Sequence, residues 1–386
     1  MSTVELIPGL PDDIALRCLA RVTHGQLGVL EAVCKRWKDV IRSHEYAQLK
    51  SQFGWCGDWI FVLPEFSLNS FTPRTWIAYD PHHDVWHPLP PIPPTLGFCP
   101  SDHCGFCSLS LAGRFLVIGG TYSYPSYPLA SPYPTTNLVF SFDPCHMRWS
   151  SLASMRTPRS QFASAVIDGK VYVAGGRSPT FPMGMPFGEV YDPVTNTWEE
   201  LPPMYESLYD CVGLSFKGKF YVLNDQAGLS QTTIAQVFTP TTNTWSIHHQ
   251  SWPFSRAMQL GIQVRWDDKL YAIADMGTSV IMKWEEEDEE WHEVGIIPPV
   301  FIPFHSYPLE AFGFGFTSLR NKLYVLGGNA LRCQQPEIGC FSIEKLKVVR
   351  VCDPEVEPLE WNELHPLCLG VQGSIIGCAS LEQFSD

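Results

Sequence analysis

Two short stretches carry residues able to bind a metal or exchange electrons. Cys104-Gly105-Phe106-Cys107, with His103 and Cys99 close by, has the Cys-x-x-Cys spacing that brings two thiols within reach of one ion or of each other. A structural zinc site needs a second such pair, and none stands at the required spacing. These residues therefore read as the start of an apolar strand, and no metal is expected. His82, His83 and His87 flank one turn and His248-His249 follow another; adjacent residues of a strand point to opposite faces, so they read as surface groups. Six consecutive acidic residues, Glu285 to Glu290, offer attraction to a basic partner and equally suit a solvated turn. No Ser-His-acid or paired-carboxylate spacing stands out, so neither catalysis nor a cofactor is expected.

Binding residues are easier to nominate. The segment Thr121 to Thr136 is rich in Tyr and Pro, Arg177 to Phe187 carries aromatic and Met side chains, and Asn329 to Pro336 carries an arginine. Aromatic and Arg residues on loops are enriched where proteins grip one another. Tyr122, Tyr124, Arg177, Phe181, Met183 and Arg332 are the candidate partner-binding residues.

Those loops join elements that repeat. A phrase of eight residues returns along the chain, opening with an aromatic residue, then a polar one, then proline, and closing on tryptophan. It runs Tyr79 to Trp86, Phe142 to Trp149, Tyr191 to Trp198 and Phe238 to Trp245, with proline and tryptophan five apart; Trp284 to Trp291 keeps the length with Glu286 in place of proline. Proline sets φ at the first corner and Asn196 or Asn243 suits a left-handed position before the second strand, which predicts tight β-hairpins. Upstream of each phrase lie two apolar strands around a polar turn, often ending in Gly-Gly, as in Phe106 to Gly120, Phe162 to Gly176 and Phe314 to Gly328. Two strands plus a hairpin make a four-stranded unit. Tryptophans 86, 149, 198, 245, 291 and 361 count six of them. The first unit is short of residues, and Gly373 to Leu381 is a leftover apolar strand, so the C-terminal strand is expected to complete the first unit and close a ring.

The first 50 residues differ. Between Asp12 and Lys50 there is no proline. Leu10-Pro11-Asp12-Asp13 is a helix start, Ile14, Cys18 and Val22 recur every four residues, and Leu27, Leu30, Cys34, Trp37 and Ile41 continue at spacings of three and four. A helical domain over 1–50 and a β domain over 51–386 are expected. So short a helical piece buries too little of its own surface to stand alone, so part of its apolar face should meet something else.

Composition narrows the partners. The net charge is −14, and all of the net negative charge lies beyond Lys50, a poor match for a phosphate backbone; nucleic acid is not expected, nor is a membrane. Thirteen scattered cysteines in so long a chain argue for reduced thiols, hence for cytoplasm or nucleus.

Leu10-Pro11-Asp12-Asp13-Ile14, the segment Leu19 to Val22, and Val33-Cys34-Lys35-Arg36-Trp37-Lys38 followed by Val40-Ile41 resemble the F-box motif in order and spacing. The four-stranded units near 50 residues long, with their Gly-Gly and Trp signatures, resemble the kelch β-propeller. Together they are similar to the plant F-box/kelch-repeat group. The resemblance implies a mainly β fold, a six-bladed kelch β-propeller closed by a C-terminal strand and preceded by a small helical F-box. It implies a non-catalytic substrate receptor of an SCF (Skp1-cullin-F-box) ubiquitin ligase, with Leu10, Pro11, Ile14, Leu19, Val33, Cys34 and Trp37 against a Skp1-like protein, a cullin beyond it, and a protein substrate on the propeller. Some members direct turnover of phenylpropanoid and flavonoid enzymes, which makes those enzymes candidate substrates. The alternatives are a kelch scaffold outside any ligase and a copper oxidase resembling galactose oxidase, which would need a secretion signal and a Tyr-Cys copper site.

Overall fold

The computed structural model describes residues 5–22, 26–65, 75–93, 103–122, 135–224, 233–250, 262–264, 269–275, 279–298, 311–335, 340–368 and 371–382. Four short helices come first: α1 (Asp12–Ala20), α2 (Leu27–Val33), α3 (Lys35–Ile41) and α4 (His44–Gln52). From Trp59 on, the described residues form antiparallel strands in seven sheets, six of them arranged as the blades of a propeller and the seventh a two-stranded ribbon of His103–Cys104 with Thr121–Tyr122. Among the described residues no helix is long and apolar enough to cross a membrane.

Blade three shows the common plan. Its strands are Ala163–Ile167, Lys170–Ala174, Gly188–Asp192 and Thr197–Glu200, each hydrogen-bonded to the next in order. The turn between the last two holds Asn196 at φ 52°, and Asn243 takes φ 54° in blade four, the left-handed positions expected from the hairpin phrase. The Gly-Gly pairs sit where backbones meet. At Gly119 (φ 61°) an added Cβ would lie 2.7 Å from the Arg159 carbonyl oxygen, and at Gly175 (φ 66°) it would lie 2.8 Å from the Cys211 Sγ. No side chain fits such an approach.

The ring closes as the leftover strand implies. Ile375–Leu381 pairs antiparallel with Trp59–Pro64, Trp59 facing Leu381 and Phe61 facing Ala379, and becomes the innermost strand of blade one. Blade six departs from the plan, because its second strand runs Lys322–Gln335 and its far half pairs with an extra strand, Cys340–Lys345.

The core lies between blades. Alternation along each strand sends successive side chains to opposite neighbours: Trp59, Phe61 and Leu63 pack with Phe115 and Phe142 of blade two, while Ile60 and Val62 pack with Tyr324 and Leu326 of blade six. Each adjacent pair of blades shares such a cluster. Fully burying a residue of this size contributes about 1.5–3 kcal/mol, so blade-to-blade packing carries the propeller.

The hairpin tryptophans have a second task. The indole of Trp149 donates to the Pro90 carbonyl at 2.8 Å, Trp198 to Ala153 at 2.8 Å, Trp245 to Pro202 at 2.9 Å, Trp361 to Ile296 at 3.0 Å and Trp86 to His365 at 3.1 Å. Each reaches back to the end of the preceding blade, and Trp86 does so across the closure. A large ring with one polar tip both fills the gap and ties the seam.

Candidate docking surfaces

Antiparallel order alternates the loops between two ends of the propeller. Turns joining strands one to two and three to four lie at one end; connections from strand two to three, and from blade to blade, lie at the other. The helices sit at the hairpin end. Met147 of the blade-two hairpin packs into the helical core, Cys145 of the same hairpin meets Ala47 and Cys56, and Asp58 accepts two hydrogen bonds, at 2.7 and 3.1 Å, from Arg320 in a blade-six turn.

Within the bundle the apolar stripe closes on itself. Leu6, Ala15, Leu19, Ala20, Leu27, Ile41 and Tyr46 are buried together. The Tyr46 hydroxyl donates to the Leu19 carbonyl at 3.1 Å, and Lys50, fully buried, donates to Val22 O at 2.8 Å and Trp55 O at 3.4 Å. Burial with no carboxylate alongside pulls the Lys50 ammonium down to about 8. The Asp12 carboxylate accepts from Leu6 N at 2.7 Å and from Arg36 at 2.7 Å, which ties the first turn of α1 to the first turn of α3. At that exposure the ion pair contributes at most about 1 kcal/mol; its use is alignment.

The spaced apolar residues from Leu27 to Ile41 lie on two helices rather than one. The stripe from Leu27 to Ile41 reads as continuous, yet the chain breaks at Cys34 (φ −162°, ψ 162°), which ends α2 and caps α3 by accepting from Trp37 N at 3.4 Å. The three- and four-residue spacing happens to persist across the break, so periodicity does not register it.

The residues assigned to Skp1 divide by burial. Ile14 is 41% and Val33 57% exposed, and Pro11 and Cys34 are exposed as well. Leu10 and Trp37 are half-buried, with the Trp37 indole donating to Leu6 O at 2.7 Å. Leu19, at 3% exposure, belongs to the bundle core and not to its exposed face. Val29, 69% exposed, was not nominated, although an apolar residue standing off the stripe was a usable signal.

At the opposite end, blade three presents the segment Arg177 to Phe187. Arg177 pairs its backbone with Ser160 in both directions, at 2.8 and 2.9 Å. Its guanidinium is 2.7 Å from the Asp210 carboxylate and stacks 4.0 Å from the Tyr209 ring centre, so its charge is already answered within the propeller. Phe181 stands edge-on to Phe187 at 5.3 Å, and Met183 is 73% exposed. Tyr205, 63% exposed in the next connection, was not nominated; its hydroxyl donates to the Trp245 carbonyl at 3.1 Å. Tyr122 pairs its backbone with His103 at the same end; its side chain lies outside the described residues. So does all of Tyr124. Arg332 has only its backbone described, opposite Ser342 in the extended strand of blade six.

The chemically suggestive residues are dispersed. Cys104 contacts the Thr121 hydroxyl at 3.3 Å, whereas Cys107 lies in blade two against Ser164 and burial pushes its thiol up to about 12. His83 bonds Asp80 at 2.7 Å in its own turn, and His87 packs edge-on to Trp59 with its basicity lowered by burial. The acidic run forms the hairpin turn of blade five, where Glu286 pairs with Lys217. Among the described residues, ligand atoms of Asp288, Glu290 and His292 lie within 4.8 Å of one another on that exposed turn. The expectation of reduced thiols meets one correction, since Cys56 and Cys145 are joined as a disulfide. Their separation of 89 residues hides the pair from sequence, because only docking of the helices brings them together.

Residues 7–48 match the F-box domain and residues 158–205 the Kelch motif. The F-box/kelch-repeat protein At1g16250 of Arabidopsis thaliana is 47% identical over 389 residues, covering all of both chains. The F-box/kelch-repeat protein SKIP30 of the same plant is 28% identical over 97% of each chain, and At1g67480 is 29% identical over 83% of this chain and 78% of its own. With an F-box bundle on one end of a six-bladed kelch propeller and a full-length relative of this identity, the chain belongs to the F-box/kelch-repeat family.

Proposed function

We propose that this chain is the substrate-recognition subunit of an SCF ubiquitin ligase, working in the cytoplasm or nucleus. The exposed apolar residues of the bundle, Ile14, Val29 and Val33, dock a Skp1-like protein and through it a cullin. The far end of the propeller, around Arg177, Phe181, Met183 and Tyr205, holds a protein substrate. The chain does no chemistry of its own; it contributes proximity between substrate and the ubiquitin-charged enzyme. The observation that carries this reading is the polarity of the molecule. The bundle sits at the hairpin end while the aromatic loops lie at the other, so both can be occupied at once. Family likeness makes phenylpropanoid and flavonoid enzymes the first substrates to try.

The test is capture of a Skp1 protein by the full chain, beside an Ile14→Asp/Val33→Asp variant. Both residues are exposed, so the bundle keeps its core, and loss of binding by at least about tenfold is expected from charging an apolar contact. Failure of the wild-type chain to bind would sink the proposal and leave a kelch scaffold.

A further inference from the structure

Cys56 lies between α4 and the strand Trp59–Pro64 of blade one, and Cys145 lies in the hairpin turn of blade two. Their sulfurs are bonded with Cα atoms 5.5 Å apart, and both residues are buried, at 1% and 9% exposure. The other cysteines whose side chains are described are free. Non-covalent contact around the bond is narrow: Ala47 completes a small apolar cluster, Met147 reaches the bundle core, and the His44 and His146 rings stand 6.2 Å apart. On each side opens a cleft of about 490 Å³. One lies between Glu31, Arg42 and Arg148, the other between Gln48, Ser51 and Arg114, and Cys145 lines both. Gly54 and Gly57, each at positive φ, flank Cys56. Beyond them Asp58 is held to the propeller by Arg320.

We propose that Cys56–Cys145 is a redox strap between the helical bundle and the propeller. Closed, it fixes one orientation of the bundle on the hairpin end; open, the bundle hinges between Trp55, which packs onto the bundle, and Asp58, which Arg320 holds to the propeller, with Gly57 between them. Closing transfers two electrons from the two thiols to a small disulfide such as oxidised glutathione, which leaves as two thiols carrying the two protons. Opening reverses this. A glutathione thiolate reaches Cys145 through a cleft, Cys56 departs as thiolate, and a second glutathione attacks the glutathione sulfur of the mixed disulfide, releasing Cys145 and oxidised glutathione. A bond inside a well-packed core would have no path for the attacking thiolate; this one borders two openings. The effect on ubiquitin transfer, through the angle at which substrate is offered, rests on the adaptor reading, whereas the strap itself does not.

The full chain would be equilibrated in oxidising and reducing glutathione buffers, alkylated, and mapped by peptide mass, with amide hydrogen exchange recorded on the same samples. Cys56 and Cys145 should resist alkylation as a linked peptide in the first buffer and both react in the second. Amides of residues 44–58 should exchange about tenfold faster on reduction, while strand 163–167 stays unchanged. A Cys145→Ser variant should behave as the reduced form in both buffers. Alkylation of both cysteines in oxidising buffer, a bond that never opens in reducing buffer, or equal exchange in oxidised wild type and the variant would each overturn the strap. Skp1 capture by the same samples separates the two ideas: its failure in both redox forms counts against the adaptor and leaves the strap standing.

Discussion

Blades three and four meet the same backbone requirement with different side chains. In blade three, Glu189 accepts from the backbone N–H groups of Arg156 at 2.7 Å and Thr157 at 3.2 Å, in the connection that enters the blade. In blade four the equivalent residue is neutral Gln236, whose amide oxygen accepts from Tyr205 N at 2.9 Å and Glu206 N at 3.3 Å. The charge of Glu189 brings a companion, Arg159, at 2.7 Å, with the side chains 1% and 0% exposed. Arg159 also donates to the carbonyls of Gly175 at 2.9 Å and Phe187 at 3.3 Å. The position matching Arg159 in blade four is Leu208, whose carbonyl accepts from Gly176 N as that of Arg159 accepts from Gly120 N, both at 2.9 Å. The fold thus requires a side-chain acceptor on the third strand for two backbone N–H groups. It does not require an ion pair, and where one is present both partners must be.

Breaking the pair on one side should have the largest effect. Glu189→Leu leaves Arg159 buried without its carboxylate and two N–H groups without acceptors, and denaturant unfolding should register a loss of about 3–5 kcal/mol. The corresponding change in blade four, Gln236→Leu, strands two N–H groups but no charge, so the same measurement should give about 1–3 kcal/mol. Converting blade three to the blade-four solution, Arg159→Leu with Glu189→Gln, should fall within about 1 kcal/mol of wild type, because the acceptors are kept and no charge is orphaned. A double variant as unstable as Glu189→Leu would show that the charge itself, and not the acceptor geometry, holds this seam.

The hairpins were open to reading because their causes are local. Proline at one corner, a left-handed Asn at the other and tryptophan at the start of the outer strand lie within eight residues, so chemistry and conformation appear together in the chain. Ring closure followed from counting, since a first unit lacking a strand and a surplus strand at the end admit one solution. The indole partners of Trp86, Trp149, Trp198, Trp245 and Trp361 were not readable, because they lie in the preceding blade. The candidate loops were found by composition, which detects Arg177, Phe181 and Met183, but not Tyr205 in a connection that looked ordinary. Composition also does not reveal that Asp210 and Tyr209 already occupy Arg177.

Sequence by itself determined the repeat, its number, the four-stranded plan and the change from helix to strand near residue 50, all of which depend on local periodicity and turn chemistry. Tertiary structure alone decided three further matters: that Leu19 faces inward while Val29 and Val33 face outward, that Arg159 and Glu189 share a buried bond, and that Cys56 meets Cys145. An amphipathic stripe states that a face is apolar, not which part of it the molecule covers. Contacts between residues far apart in the chain arise only when blades and bundle pack, since packing, and not any local preference, brings them within bonding distance.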